Sequence, residues 1–556
     1  MNRVGPIPAR EWGGRLPVAL VFPEQEPQAL SCLGWQTVYR ELGYDDGFYV
    51  ERFFWDKDAR KAVSPDSDKK LGVYPLICFS LNFEGDYLCL INILKAEDIA
   101  VRADERKDWP LVMAGGPIAF LNPFPVAPSL DFLFVGESEG KFAPVAHAVR
   151  DQWLSGNSCD LALQKISEFP GVLIPGQKNK VRKQISIKNH AELPSPSCSS
   201  FVSASSVFRD SFLVEINRGC PYGCRFCAAG FIYRPPRQSS LSNIKQLVQD
   251  ASPRKVGLVG TALTDWPDLK PFLVWLHNRQ IKFSLSSVRA DGLDRNLLEF
   301  LRKCGTRTIT LAVEGVSQNL RAAMNKHFNQ DRFFDAVELI SELRFNTLKL
   351  YFILGLPGED ADDFAELASF LDRLEQARKV GMGKKNKGVD LISISASMFV
   401  PKPWTPLQWA PMESQEMFLK KTKIFKKMCS GYKGLKFSAE KPFGARLQGL
   451  LSRGDEKVHD LLVLAAENDN SWRNALKLWP GNMEDYIDRE FSLDTDFVWD
   501  VIDIGIDKDY LKNEWIRYHK ALPTRICPDQ PCHKCTRCGM EKFMRIDNRQ
   551  HGQAAG

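Results

Sequence analysis

The chain has 556 residues, 44% of them hydrophobic, and a formal net charge of +6. That length accommodates about three or four domains, and no apolar run reaches the roughly 18–20 residues of a membrane span. The first ten residues lack the apolar centre of a secretory signal. Seven of the fourteen cysteines lie in two tight clusters, which fits metal binding in a reducing compartment better than a disulfide framework. A soluble, cytoplasmic protein with no membrane partner is expected. The basic runs at 384–387 and 420–427 read as a loop and solvated helix faces, so RNA binding is permitted by charge but not indicated.

Residues 1–155 read as a doubly wound α/β domain. Val18–Phe22 is a short apolar strand, and Leu30, Leu33, Val38 and Leu42 mark a helix that stops at Gly43. Tyr74–Ser80 is the next buried strand, with Leu88, Ile91 and Leu94 on the helix after it. Leu111–Pro117 and Asp131–Glu137 follow, each ending in a turn. Apolar strands separated by helices imply a parallel sheet whose ligands lie beyond the carboxyl ends of the strands. Gly115, Gly116 and Gly136 mark points where backbone can approach such a ligand. From 156 to 206 the pattern weakens. Gly171–Pro175 is one candidate strand, and Leu193–Ser200 reads as a linker.

Residues 207–438 hold six strand-like runs, beginning near Leu213, Lys255, Phe283, Thr308, Thr347 and Leu391, each followed by a helix-like run. Six β/α units are too few for a closed eightfold barrel. Just after the first run come Cys220, Cys224 and Cys227, spaced C-x3-C-x2-C. Three thiolates hold three irons of a 4Fe–4S cluster and leave the fourth without a protein ligand, open to a chelating small molecule. The competing readings are an incomplete zinc site and plain buried thiols.

The cysteine spacing, with Phe226 before the last cysteine and Arg218-Gly219 before the first, resembles the radical S-adenosylmethionine (SAM) superfamily. The resemblance implies an open partial (β/α)6 barrel, a cluster that binds SAM at its open iron, and reductive cleavage to methionine and a 5′-deoxyadenosyl radical. It also implies an external electron donor of the flavodoxin or ferredoxin type. Ala114–Pro117 and Val135–Glu137 make the N-terminal region similar to the cobalamin (B12)-binding-type domain that precedes the barrel in one branch of this family. The Asp-x-His-x-x-Gly motif that ligates cobalt is absent, and the first histidine is His147. Cobalamin bound without a histidine and a cofactor-free Rossmann-like domain both remain open.

Within the barrel the resemblance places the SAM amino group near the backbone of Gly260, Thr261 and Ala262, although the usual Gly-Gly-Glu is missing. Ser287 and Arg289 match a Ser-x-Arg-x-Asp segment, with Arg289 as a fork for the SAM carboxylate or as a salt-bridge partner of Asp291. Glu314 stands where the amino group or ribose is held, or is a buried structural carboxylate. Leu354 and Gly355 match a turn that packs the adenine. The proline-rich loop at 397–409 stiffens the barrel mouth. Its Lys402 either reaches substrate or braces the domain interface.

Residues 439–556 read as mostly helical, with Arg453 and Asp455 as a helix cap and salt bridge. Near the end, Cys527, Cys532, Cys535 and Cys538 form a complete thiolate set for zinc or a second iron–sulfur cluster; His533 is surplus to that set. The leading expectation is a radical SAM enzyme, with methyl transfer if cobalamin binds. A methylthiotransferase-like reaction on RNA or a ribosomal protein is the enzyme alternative. It would need the C-terminal quartet to fold back onto the barrel and open one iron. A non-catalytic iron–sulfur binding module is the third reading. The substrate is not legible.

Overall fold

The computed structural model describes residues 2–3, 11–177, 179–187, 192–285, 288–385, 387–528, 532 and 535–544. Among these residues no helix is long and apolar enough to cross a membrane.

The N-terminal sheet runs Lys61–Val63, Phe48–Asp56, Leu16–Phe22, Leu76–Ser80, Leu111–Gly115, Phe132–Phe134, Val172–Leu173. The five central strands are parallel and the two edges antiparallel. Every residue of Leu16–Phe22 is buried, as a central strand covered on both faces requires. Numbered by chain order, the parallel strands lie 2-1-3-4-5, so the direction of winding reverses between Leu16–Phe22 and Leu76–Ser80. Ligands of such sheets sit beyond the carboxyl ends at that reversal.

Phe48–Asp56 was not legible as a strand because Glu51 and Arg52 interrupt its apolar run. Both are buried, at 0% and 2% exposure. Arg52 grips Asp66 through Nε at 2.8 Å, and Glu51 accepts from Tyr49 at 3.0 Å. Residues 156–206 are woven into the structure. Val172–Leu173 completes the first sheet, and Val181–Arg182 pairs in parallel with Ile502–Asp503 of the C-terminal region.

The second unit is an open barrel of parallel strands: Phe212–Glu215, Lys255–Val259 and Lys282–Ser284, then Thr308–Glu314, Thr347–Leu354, Leu391–Met398 and Leu435–Ala439. A parallel bridge from Val288 to Leu311 joins the two groups. The six expected strands are all present, and Leu435–Ala439 adds a seventh. Burial alternates along Thr347–Leu354 and Leu391–Met398. One face packs outward on helices, as where Phe352 meets Phe370 and Phe425 at 6.2 and 5.2 Å between ring centres. The other face lines a lumen that is only partly filled. Local chemistry fixes the helix starts: Asp294 caps Leu297 N–H at 2.6 Å, and Asp360 and Asp363 form a reciprocal capping box.

The C-terminal region is mostly helical, with Pro442–Arg453, Val458–Glu467 and Lys508–His519 as its longer helices. The helix cap and salt bridge expected of Arg453 and Asp455 do not form. Arg453 Nη1 donates to the Ala410 carbonyl at 2.6 Å, and Asp455 accepts from the Tyr486 hydroxyl at 2.9 Å.

Candidate active site

The cysteine loop leaves the first barrel strand at its carboxyl end. Gly219 enters it at φ +82°, and a Cβ there would lie 2.4 Å from the Tyr233 carbonyl, so only glycine lets the loop close onto that segment. Cys227 N–H then donates to the Cys224 carbonyl at 3.0 Å. Burial pushes the Cys220 thiol up to about 11 and the Cys224 thiol up to about 12. The neighbouring thiols contribute to both rises, and Lys326 opposes the rise at Cys224. The three thiols therefore lie within each other's electrostatic reach and are neutral until a metal displaces their protons.

Among the described residues no three thiol, imidazole or carboxylate groups already stand at metal-ligating spacing. The donor chemistry still fits a cluster: three half-buried thiols on one short loop, with Lys326 near Cys224 and Cys227 to offset thiolate charge. Asp265 Oδ2 and His327 Nε2 are buried without a hydrogen-bond partner, and both side chains sit beside Tyr222 of this loop.

The turn after the second strand is stitched to the loop by Asn217. Its Oδ1 accepts Thr261 N–H at 2.8 Å, and its Nδ2 donates to the Ala262 carbonyl at 2.9 Å. Thr261 Oγ1 donates to the Gly219 carbonyl at 2.5 Å. The backbone groups expected to meet SAM at Gly260–Ala262 are thus partly engaged by Asn217, whose Oδ1 would lie 2.5 Å from a Cβ on Gly260.

Ser287 lies outside the described residues. Arg289 presents the edge of its guanidinium to Asp291, with Nε at 3.1 Å and Nη2 at 2.6 Å. It lies 3.7 Å over the Tyr222 ring and donates to the His327 carbonyl. The salt bridge is formed, and it props Arg289 on the cysteine loop. Glu314 pairs with Lys326 at 3.2 Å, placing a carboxylate and an ammonium beside Cys224.

Leu354 is fully buried. Gly355 adopts φ +77°, with its Cβ direction blocked by Glu413 at 2.8 Å, and its N–H donates to Glu359 at 3.0 Å. This glycine gives Glu413 room to pack against the turn. Gly116 and Gly136 likewise admit the chain's own backbone, at Leu81 and Gln184. Gly115 has nothing nearer than 4.0 Å and keeps its space. Lys402 braces the domains: its ammonium pairs with Glu84 and donates to Ser452 at 3.0 Å.

Three arginines clamp the loop, and of these only Arg218 stood out in the sequence. Arg225, fully buried, donates from Nε to Glu514 at 2.9 Å and from Nη2 to the Leu522 carbonyl at 2.8 Å. Arg218 pairs with Glu215, Glu137 and Glu139 at 2.8, 2.9 and 2.6 Å. Arg237 grips both oxygens of Glu137, at 2.7 and 2.6 Å.

A cavity of about 370 Å³ opens between the two units. One wall is the carboxyl edge of the N-terminal sheet at the winding reversal, including Trp35, Ser80, Gly115 and Glu137; the other includes Arg218, Gly219 and Thr261. The cavity therefore joins the sheet's ligand edge to the start of the cysteine loop. Among the described residues no histidine lines it, and His147 pairs with Asp45 at 2.8 Å.

Residues 34–175 match the family described as Radical SAM proteins, N-terminal, and residues 214–371 match the Radical SAM superfamily. The chain belongs to the radical SAM superfamily. This radical SAM protein is 27% identical over 470 residues to an uncharacterized protein of Methanocaldococcus jannaschii, covering 83% of this chain and 93% of that one. It is 26% identical over 180 residues to the tRNA-2-methylthio-N(6)-dimethylallyladenosine synthase of Clostridium botulinum, and there the match spans only 39% of the relative.

Among solved structures, the cobalamin-dependent S-adenosylmethionine radical enzyme OxsB with aqua-cobalamin and S-adenosylmethionine bound aligns at a TM-score of 0.49. It is 17% identical, over 98% of this chain and 81% of that chain. The radical S-adenosylmethionine methyltransferase TsrM of Kitasatospora setae, with cobalamin and a 4Fe–4S cluster bound, aligns at 0.48 with 14% identity, over 71% and 74% of the two chains.

Proposed function

We propose that this radical SAM protein cleaves S-adenosylmethionine reductively at a 4Fe–4S cluster held by Cys220, Cys224 and Cys227, generating a 5′-deoxyadenosyl radical that abstracts hydrogen from a substrate. The observation that carries the reading is the three-thiol loop at the carboxyl end of the first barrel strand, where barrel active sites lie. The bound cluster supplies the electron and an open iron. The chain's own residues position SAM and exclude solvent. Glu314 offers a carboxylate beside Cys224 for an ammonium group, and Arg289 exchanges Asp291 for the SAM carboxylate. Gly260, Thr261 and Ala262 face the ligand with the backbone groups that Asn217 leaves free.

The cavity at the winding reversal supports a second cofactor, and we assign cobalamin to it, held without a protein histidine. Trp35 Nε1 and Thr37 Oγ1 are buried in this wall with no hydrogen-bond partner, as expected of donors awaiting a polar ligand. Bound there, cobalamin supplies methyl transfer.

The test is anaerobic reconstitution followed by SAM and dithionite, with 5′-deoxyadenosine quantified by mass spectrometry. The native chain forms deoxyadenosine, and Cys224→Ala forms none. A native chain that holds its cluster but neither binds nor cleaves SAM would leave the binding-module reading in its place. For the cavity, Gly115→Leu fills open space, so this variant loses cobalamin on gel filtration while keeping its iron. Equal cobalamin retention by both chains would remove the assignment.

A further inference from the structure

The C-terminal cysteines are built onto the catalytic loop. Cys527 N–H donates to the Pro221 carbonyl at 2.8 Å, which brings the backbones of the two cysteine motifs within roughly 10 Å of each other. Asn325 bridges them, donating to the Tyr222 carbonyl at 3.1 Å and accepting from Thr524 N–H at 2.8 Å. Arg234 connects them again: its Nε donates to the Gly230 carbonyl at 2.8 Å, and its side chain lines the same cavity as Cys538.

All four C-terminal cysteines line one cavity of about 560 Å³ together with Pro221 and Tyr222. The four thiols therefore face one space, and Arg234 lines it too.

We propose that Cys527, Cys532, Cys535 and Cys538 hold a second iron–sulfur cluster that relays single electrons to the cluster on the 220–227 loop. Four thiolates satisfy every iron of a cubane, so this centre has no open position for SAM, substrate or sulfur donation. Its remaining chemistry is electron transfer, for which contact with the first loop is the structural requirement. Zinc in the same thiolates has no redox chemistry. The step balances as one electron: an external flavodoxin- or ferredoxin-type donor is oxidised by one unit, the second cluster is reduced and then reoxidised, and the first cluster gains the electron. No bond forms or breaks. The relay rests on the proposed function of the first cluster; the presence of the second cluster does not.

Metal analysis separates the two. The native chain reconstituted anaerobically carries about eight irons and negligible zinc, and the Cys220→Ala/Cys224→Ala/Cys227→Ala variant keeps about four. The four irons in that variant give a reduced electron paramagnetic resonance signal that SAM does not alter. The Cys532→Ala/Cys535→Ala variant keeps the SAM-sensitive signal and forms deoxyadenosine with dithionite. With flavodoxin and its reductase as donor it is at least about tenfold slower than the native chain.

Zinc in place of the second set of irons, in the native chain itself, overturns the proposal. So does an iron-free triple cysteine variant, an undiminished rate with flavodoxin, or isotopic label from cluster sulfide appearing in a product. A native chain with eight irons that fails to cleave SAM counts against the proposed function and leaves the second cluster standing.

Discussion

At the scale of single residues the catalytic loop depends on Asn217, which ties the second-strand turn to the strand that feeds the cysteines. Asn217→Ala leaves Thr261 N–H and the Ala262 carbonyl without their partner, a loss of about 1–3 kcal/mol. Denaturant unfolding should register that loss, and equilibrium dialysis should show weaker SAM binding with iron content unchanged. A SAM affinity equal to that of the native chain would separate this turn from the ligand. The three cysteines of the loop were legible because their spacing is itself the ligand geometry. Arg289 was legible as a fork but not as a fork already filled by Asp291, because a sequence does not say which anion a guanidinium meets. Lys326 and Arg225 carried no signal at all. Their roles arise from Glu314 and Glu514, residues that only the folded chain brings to them.

At the scale of elements, the proline-rich loop after Leu391–Met398 acts as a strut. The Lys402 ammonium reaches Glu84, which is only 4% exposed, and Ser452, while Asn122 Nδ2 donates to the Ser452 and Gly454 carbonyls at 3.0 and 2.8 Å. One loop, one edge of the N-terminal unit and the end of Pro442–Arg453 thus share a polar knot. Burial pushes the Glu84 carboxyl up, but Lys402 outweighs it and the net shift is downward. Lys402→Met strands that carboxylate and should cost about 3 kcal/mol in global unfolding, with deoxyadenosine formation per folded chain preserved. A loss of turnover without a loss of stability would instead make Lys402 a substrate contact. The element order was largely readable from apolar runs and turn residues. Phe48–Asp56 escaped because Glu51 and Arg52 break its apolar run, and the Asp66 that neutralises Arg52 meets it only in the folded chain. Leu435–Ala439 escaped because it lies at the open edge with exposed Ser438 and Ala439, where a strand needs no apolar run.

At the scale of the whole molecule, Glu137 is the hinge pin between the units. Arg237 and Arg218 reach it from the barrel side, and Ser186 N–H donates to it at 2.8 Å from the connecting segment. Burial alone would raise its pKa, but the two guanidinium groups overcome burial and hold it at about 2, below its ordinary 4.5. A depressed carboxylate binds fewer protons folded than unfolded, so its stabilisation is complete above pH 4.5 and is lost as the pH falls toward 2. Glu137→Gln removes this titration. Thermal unfolding midpoints measured across that window should fall less steeply for the variant than for the native chain; parallel curves would place the acid sensitivity elsewhere.

The clamp on Arg225 also sets an order of events during biosynthesis. The cysteine loop leaves the ribosome almost 300 residues before Glu514, Leu522 and Thr524, the groups that enclose it. A nascent chain halted before residue 500 therefore carries the three thiols on a loop that lacks these C-terminal contacts. Completion of the chain fastens the loop through Arg225, so the full-length protein takes up its cluster on a held loop, and a chain cut before Glu514 would keep that loop unheld.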